Sequence, residues 1–283
     1  MRQLNRFAAA FLAAGLAAVP AAAVIAASAN NPNVPTGDGD AIFAVDEGGN
    51  LDPVAVRLHG TFLSAGSNDG EPSPKLRMES NAAIATHGNR VHVIFGGRVV
   101  ATVAANVENG GATIVLPPSL HLGGNVNALA SPTLGGRAAR PRRAPTAPER
   151  AAVLGLAAKT LGARSATLEV RNLTALDLGH GTAFAGTVNA RGSGTPRTDK
   201  RLFLIAEAGP GPLRATLVNV QTIKVTEPLL EEPAEYLVDA IDLGDHSLSI
   251  VTRIIGYDAH TYAIYSRSKT GWKNVYEGGG VAL

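Results

Sequence analysis

Two turns of the chain place a histidine close to aspartate, the pairing that general-base catalysis uses. His180 follows Asp177, and His246 follows Asp242 and Asp245. A carboxylate beside an imidazole can orient it as a general base. Turn chemistry explains the same aspartates without catalysis, because their side chains cap tight turns. The candidate binding or metal residues are therefore Asp242, Asp245 and His246, and no residue is assigned a catalytic role.

Other catalytic signatures are missing from the sequence. The seven histidines form no HExxH motif. A serine nucleophile normally lies in a strand-turn-helix elbow, whereas the RGSGT string at 191–195 belongs to a predicted glycine-rich hairpin loop. The chain has no cysteine, which excludes thiol nucleophiles, Cys-ligated zinc and disulfides. These observations favour a protein that is not an enzyme.

One segment of the chain is densely basic. Arg137, Arg140, Arg142 and Arg143 lie close together among glycines and prolines. Such a run can contact anionic lipid, lipopolysaccharide or nucleic acid, or it can be a solvated linker. The segment contains no aromatic residue on which bases could stack, which argues against a nucleic-acid partner. The composition favours a linker, with the four arginines as a candidate anionic contact patch.

Residues 1–29 have the pattern of a secretory signal peptide. Two arginines precede an apolar run over residues 7–19, and A-x-A-like cleavage sites end at Ala23 and Ala29. The run is short for a membrane span, so we expect removal of the segment rather than an uncleaved anchor. Because bacterial envelope proteins often lack disulfides, we expect a bacterial protein exported to the periplasm or the extracellular medium, with no transmembrane span after cleavage.

Removal of this segment changes the charge balance. The whole chain has 25 basic and 23 acidic residues, and two of the basic ones lie in the signal segment, which contains no acid. The mature chain is therefore neutral, so its net charge does not indicate an anionic partner. Only the arginine-rich segment does. The apolar fraction of 45% and the charged fraction of 17% exclude wholesale disorder.

Turn and linker patterns divide the mature chain into two predicted domains. Residues 36–134 show short strand patterns without helical periodicity, which predicts a small all-β domain. Within it, two β-rich runs joined by Gly96 and Gly97 predict a hairpin, since both glycines can take positive φ. Residues 135–146 form the predicted Arg/Pro-rich linker, and residues 147–283 form the second domain.

The second domain begins with a helix and continues in strands. A T-x-x-E capping box at Thr146 and Glu149, an apolar repeat and Gly162 predict a helix over 147–161 that covers the following sheet. Short turns between the strands predict an antiparallel meander, with the apolar run 202–206 in a central strand. The predicted strands are 165–176, 182–191, 200–207, 213–224, 236–243, 247–256, 260–267 and 272–276. The predicted fold is mainly β with one clear helix: a small all-β N-terminal domain and an α+β C-terminal domain.

A short repeat lies within the second domain. Residues 175–182 and residues 240–247 share the order of a strand, an Asp-x-Gly turn and a second strand. A repeated hairpin and a propeller-like blade both fit this pattern, but two copies are fewer than a propeller needs to close.

The second copy belongs to a longer stretch with a family resemblance. Its motif consists of residues 238–245, Tyr257, residues 262–265 and Trp272. Residues 238–276 resemble a degenerate FG-GAP-type repeat of exported bacterial proteins, although the D-x-D-G-D-G loop of that family is absent. The resemblance implies adhesion or ligand binding, and calcium in the Asp-rich loop.

Two functions from different classes follow. The first is an exported bacterial binding or envelope-associated module without enzymatic activity, whose partner is an envelope or extracellular ligand and whose only candidate cofactor is calcium. The second is an exported hydrolase with a His/Asp loop site between the two domains. A His–carboxylate pair that lines a cleft is what the second function requires. An outer-membrane barrel fits poorly, because its strands need about 9–11 residues and aromatic girdles.

Overall fold

The structure is a computed structural model of the chain. It describes residues 35–63, 74–124, 126–194, 196–209, 211–225, 234–256 and 259–282. The predicted signal segment, residues 1–29, lies outside the described residues, as does Tyr257 of the FG-GAP-like motif. Residues Pro35–Leu283 group into one compact unit, in which the region predicted as the first domain and the region predicted as the second build separate sheets.

Strands from the first region form one seven-stranded antiparallel sheet, the N-terminal sheet. Its order is β3-β2-β1-β7-β4-β5-β6, so the last strand in sequence inserts at the centre. The sheet curls until β6 meets the β1–β2 turn, where the N–H of Ile114 donates to the carbonyl of Gly49 at 2.9 Å. The strands are β1 (Asp40–Val45), β2 (Leu51–Leu58), β3 (Thr61–Phe62), β4 (Arg90–Ile94), β5 (Val99–Glu108), β6 (Gly111–Ile114) and β7 (Ala128–Ser131).

The predicted hairpin at Gly96 and Gly97 is confirmed. β4 and β5 pair antiparallel with Ile94 opposite Val99, and the two glycines have φ of 65° and 70°. The turn also packs closely against the rest of the molecule, because a Cβ at Gly96 would lie 2.7 Å from the backbone nitrogen of Arg142. Glycine is therefore required at this position by both conformation and space.

One helix, α1 (Pro74–Thr86), lies in the region where the sequence pattern predicts none. About half of its residues are polar, and its buried side has few large apolar residues: Leu76 and Ile84 lie there with Glu79, Ser80 and Ala83. So few large apolar residues leave little periodicity to detect. The expectation of an all-β region over 36–134 is corrected accordingly, while the mainly β fold class is confirmed.

The strands of the second region pair antiparallel, as predicted, but they form two four-stranded meanders where the sequence pattern predicts one. The outer meander has the order β11-β10-β9-β8, and the inner meander has the order β12-β13-β14-β15. The apolar run 202–206 lies in β10, which is an interior strand as expected. The strands are β8 (Leu168–Asp177), β9 (Thr182–Ala190), β10 (Arg197–Glu207), β11 (Arg214–Val225), β12 (Ala234–Asp242), β13 (Leu248–Ile255), β14 (Ala259–Ser268) and β15 (Gly271–Ala282).

The predicted helix is confirmed as α2 (Ala147–Leu161) with its capping box. The Thr146 side chain accepts from the N–H of Glu149, the Glu149 carboxylate accepts from the N–H of Thr146, and Gly162 ends the helix in the left-handed region. The apolar side of α2, including Val153 and Ala157, covers the outer meander. No helix in the described part of the chain is long and apolar enough to cross a bilayer.

These elements stack in five layers. Helix α1 covers one face of the N-terminal sheet, and the other face of that sheet packs on the inner meander. The inner meander packs in turn on the outer meander, which α2 covers. The inner meander is thus buried on both faces, and every residue of β12 is buried. Side chains at the edge of the contact between the N-terminal sheet and the inner meander form the site described next.

Candidate functional site

A cleft of about 570 Å³, the polar cleft, opens where the N-terminal sheet meets the inner meander. Its walls come from the β1–β2 turn, helix α1, the β5–β6 turn, and strands β13 and β14. Of the sixteen described residues that line it, ten carry polar or charged side chains. They are Asp46, Asn50, Asp52, Arg77, Asn81, Asn109, Asn127, Arg253, His260 and Tyr262.

Asp52 is the centre of a hydrogen-bond network in this cleft. Its Oδ2 atom lies 2.9 Å from Nε2 of His260 and accepts the hydroxyl of Tyr262 at 2.6 Å. The Asp52 and His260 side chains are 23% and 13% exposed, so both still reach the cleft surface. The structure therefore contains a His–carboxylate pair that lines a cleft.

The local folds explain how these side chains meet. His260 and Tyr262 are two residues apart on β14, and alternate residues of a strand point to the same face. Asp52 lies near the start of β2, after a turn that Asp46 closes. Asp46 Oδ1 accepts the N–H groups of Gly48 and Asn50, both at 2.9 Å, which fixes the entry of the strand.

Burial governs the electrostatics of Tyr262. Burial, and then the negative charge of Asp52 and the hydrogen bond to it, raise the pKa of the Tyr262 phenol well above its ordinary value. Arg253, which is directly opposite Tyr262 in the β13–β14 pairing, opposes this shift. Tyr262 therefore stays protonated and donates to Asp52 throughout the physiological range.

The described lining residues of the cleft are mainly hydrogen-bonding and charged side chains. Among the described lining residues there is no Ser, Thr or Cys, so a hydrolytic reaction there would use water or a carboxylate such as that of Asp52 as the nucleophile. Within the described ranges, no group of three or more His, Asp or Glu side chains is arranged to hold a metal ion. What the cleft offers is a fixed set of hydrogen-bond donors and acceptors.

The predicted residues Asp242, Asp245 and His246 lie elsewhere, in the β12–β13 turn. Asp242 Oδ1 accepts the N–H groups of Gly244 at 2.8 Å and of His246 at 3.2 Å. Asp245 Oδ1 accepts the N–H and the hydroxyl of Ser247 at 3.1 and 2.9 Å. The His246 side chain is exposed. The structure thus gives Asp242 and Asp245 turn-capping roles, and calcium at this turn stays a prediction.

The internal repeat has a structural counterpart. Asp177, in the β8–β9 turn, accepts the N–H of Gly179 at 3.0 Å, just as Asp242 accepts that of Gly244. The second oxygen of each aspartate binds the arginine-rich segment: Asp177 accepts the N–H of Arg140 at 3.1 Å, and Asp242 lies 2.8 Å from Nε of Arg137. The repeat is a pair of hairpins that hold the segment between the two meanders.

The four arginines of the predicted contact patch are not equivalent. Arg142 is buried: its guanidinium donates to the carbonyl of Val238 at 3.2 Å and lies 3.8 Å from the carboxylate of Asp239. Arg137 pairs with Asp242, and Arg143 pairs with Glu149. The side chain of Arg140 is exposed. Three of the four guanidiniums thus have carboxylate partners within the described structure.

Asp239 shows why Arg142 is buried. Its two carboxylate oxygens accept the N–H groups of Gly96 at 2.7 Å and Gly97 at 3.1 Å, so that it closes the β4–β5 turn. Burial raises the pKa of Asp239 to about 6, against the positive charge of Arg142 and the N–H donors. Burial likewise lowers the pKa of Arg142. The pair joins the N-terminal sheet to the inner meander.

The sequence patterns did not predict that Asp52, His260 and Tyr262 come together in the polar cleft. His260 is counted among the seven histidines, but Asp52 carries no local pattern, and the two are 208 positions apart. The alternation of His260 and Tyr262 on a predicted strand was the one available indication that they share a face. The FG-GAP resemblance stays a prediction, since comparison of the chain with protein-family models, with curated proteins and with solved structures finds no match.

Proposed function

We propose that this chain is an exported bacterial binding protein, without enzymatic activity, that holds a small polar ligand in the polar cleft. The observation that carries the proposal is the network at Asp52, where His260 and Tyr262 converge at the wall of an open cleft of about 570 Å³. Small-molecule sites typically measure about 300–1,000 Å³. Export is proposed from residues 1–29 alone.

The lining suits a polar ligand. Four asparagines supply amide donors and carbonyl acceptors. A hydroxyl group can pair with either, because it both donates and accepts hydrogen bonds. They come from the β1–β2 turn, from α1, from the β5–β6 turn and from the segment before β7, so that a ligand would bridge several elements. The four residues are Asn50, Asn81, Asn109 and Asn127.

The network is organised before any ligand arrives. Asp52 holds two donors from β14, and Asp46 fixes the turn that carries Asn50. Polar groups that are already oriented lose little entropy on binding, which favours affinity. Tyr262 is committed to Asp52 as a donor and, with its raised pKa, is a poor nucleophile. These features support binding rather than turnover.

A pair of tryptophan variants on α1 tests the proposal. Asn81 lines the cleft, whereas Met78 on the same helix is 48% exposed and lies outside the lining. We expect Asn81→Trp to fill the cleft and Met78→Trp to leave it open. In ligand-observed NMR with a mixed library of sugars, amino acids, organic acids and amines, hits should bind the wild type and M78W but not N81W. A library in which no compound separates N81W from M78W contradicts the proposal.

A hydrolase is the second candidate, and the His260–Asp52 pair is the observation in its favour. Asp52 would orient the imidazole, and the imidazole would take a proton from an attacking water. Assays with chromogenic esters, phosphates and glycosides decide between the two functions. Turnover that falls at least about 100-fold in Asp52→Asn and is retained in Asp245→Asn would establish the hydrolase. Absence of turnover above background would exclude it for these substrates.

A further inference from the structure

We infer that the ligand of the polar cleft is a small polyhydroxylated anion, a molecule with several hydroxyl groups and one carboxylate or phosphate, whose charge Arg77 and Arg253 bind. The inference rests on the proposed function, since it names the chemistry of the ligand for the same site. Its evidence is the set of charged groups that line the cleft.

Both arginines lack hydrogen-bond and ion-pair partners among the residues that the structure describes. Arg77 comes from α1 and Arg253 from β13, and each side chain is half-buried. Neither guanidinium has a hydrogen bond or an ion pair with any residue that the structure describes. Arginines that are removed from bulk water in this way normally pair with a carboxylate or an anion. An anionic ligand would supply that partner to both.

Both aspartates of the cleft already accept hydrogen bonds within the protein. Asp46 directs Oδ1 to the N–H groups of Gly48 and Asn50 and Oδ2 to the Asn50 amide at 2.8 Å. Asp52 binds His260 and Tyr262 through Oδ2. His260, the remaining titratable group of the lining, is held by Asp52. Among the described lining residues, the charged side chains without a hydrogen bond or an ion pair are therefore both positive, namely Arg77 and Arg253, although the cleft has two aspartates and two arginines.

The remaining lining limits the rest of the ligand. Among the described lining residues, Tyr262 and His260 carry the only aromatic rings, and Tyr262 is 1% exposed, so these residues offer no open tyrosine face on which a nucleobase could stack. Asparagine side chains such as Asn81 and Asn127 instead match hydroxyl groups. A sugar acid and a sugar phosphate share this chemistry, and the two are distinguished by the probes below.

Titration with three related probes tests the inference. Glucose, glucuronate and glucose 6-phosphate share one ring and differ in charge, and isothermal titration calorimetry gives the affinity of each. We expect at least one anionic probe to bind about tenfold more tightly than glucose. Arg77→Gln or Arg253→Gln should lower the affinity of the protein for that probe about tenfold, because each substitution removes hydrogen bonds to a charged group. The probe that binds more tightly shows whether the charged group of the ligand is a carboxylate or a phosphate.

The matched control is Lys75→Gln, which removes the same charge from α1 at an exposed position outside the lining. It should change the affinity less than about twofold, because an exposed charge outside the lining is screened by water and salt. Arg77→Lys keeps the charge and should retain part of the binding. Thermal unfolding of each variant confirms that it is folded.

Three results overturn the inference. The first is equal affinity for glucose and both anionic probes. The second is an equal loss of anion affinity in K75Q and R77Q. The third is absence of binding by all three probes. If the mixed library still finds compounds that N81W excludes, the cleft binds ligands of another class and the proposed function stands. If the library finds none, the proposed function falls as well.

Discussion

Nε2 of His260 lies 2.9 Å from Oδ2 of Asp52, a residue that precedes it by 208 positions in the chain. This contact joins β14 of the inner meander to β2 of the N-terminal sheet. Together with the hydrogen bond from Tyr262, it forms one wall of the polar cleft at the junction of two sheets. The cleft therefore depends on how the sheets pack, not on any single turn.

The Tyr262 hydroxyl should contribute measurably to stability, and a second tyrosine provides a matched control. Tyr262→Phe removes a donor from the Asp52 carboxylate and should lower the free energy of unfolding by about 1.5–3 kcal/mol, as expected for a hydrogen bond to a charged group. Tyr276 packs in the same core, and its buried hydroxyl has no hydrogen-bond partner among the described residues. Tyr276→Phe should therefore be neutral or stabilising in urea unfolding. Equal losses in Y262F and Y276F would show that the network contributes nothing.

The buried carboxylate of Asp239 should be more costly to alter than an exposed one. Asp239→Asn places an amide donor where Asp239 now accepts the N–H groups of Gly96 and Gly97, and it leaves Arg142 buried without a counter-charge. We expect a loss of about 3–5 kcal/mol in the free energy of unfolding. Asp245→Asn keeps the one oxygen that serves its turn and should change stability by less than about 0.5 kcal/mol. A D239N variant as stable as D245N would contradict the role given to the buried pair.

The start of α2 should produce part of the acid sensitivity of the protein. Hydrogen bonds from Arg143 and from the N–H of Thr146 lower the pKa of the Glu149 carboxyl from 4.5 to about 2. Between those values the unfolded chain binds a proton that the folded chain does not, so stability falls as the pH falls. Glu149→Gln should flatten this part of the stability curve, measured by urea unfolding from pH 5 to 2. Glu108→Gln, at an exposed strand end, is the control and should leave the curve as in the wild type.

Local patterns predicted the second half of the molecule well. The strand predicted over 182–191 is Thr182–Ala190, and the helix predicted over 147–161 has those limits. Alternating apolar residues, short Asp-Gly turns and a capping box each act within a few residues, so the sequence carries their information directly. The mainly β class follows from the same signals.

The rest depended on contacts between distant residues. Helix α1 has few large apolar residues, and its packing on the N-terminal sheet, through residues such as Leu76 and Ile84, decides its conformation. The arginine-rich segment has the composition of a linker, yet Asp177 and Asp242 bind it from two separate hairpins. The polar cleft is the extreme case, since Asp52, Arg77 and His260 meet only when two sheets and a helix assemble.

The most direct test of the polar cleft as a ligand site is a pair of titrations of the ¹⁵N-labelled protein, one with glucuronate and one with glucose 6-phosphate, each followed by two-dimensional NMR. We predict that the amide signals of Asn81, Gly110 and Arg253 shift with one common dissociation constant. The indole signal of Trp272, the only tryptophan of the chain, should stay in place, because this residue lies outside the cleft. Shifts at Trp272 with unchanged signals in the cleft, or no shift at any of these residues with either probe, would contradict the account.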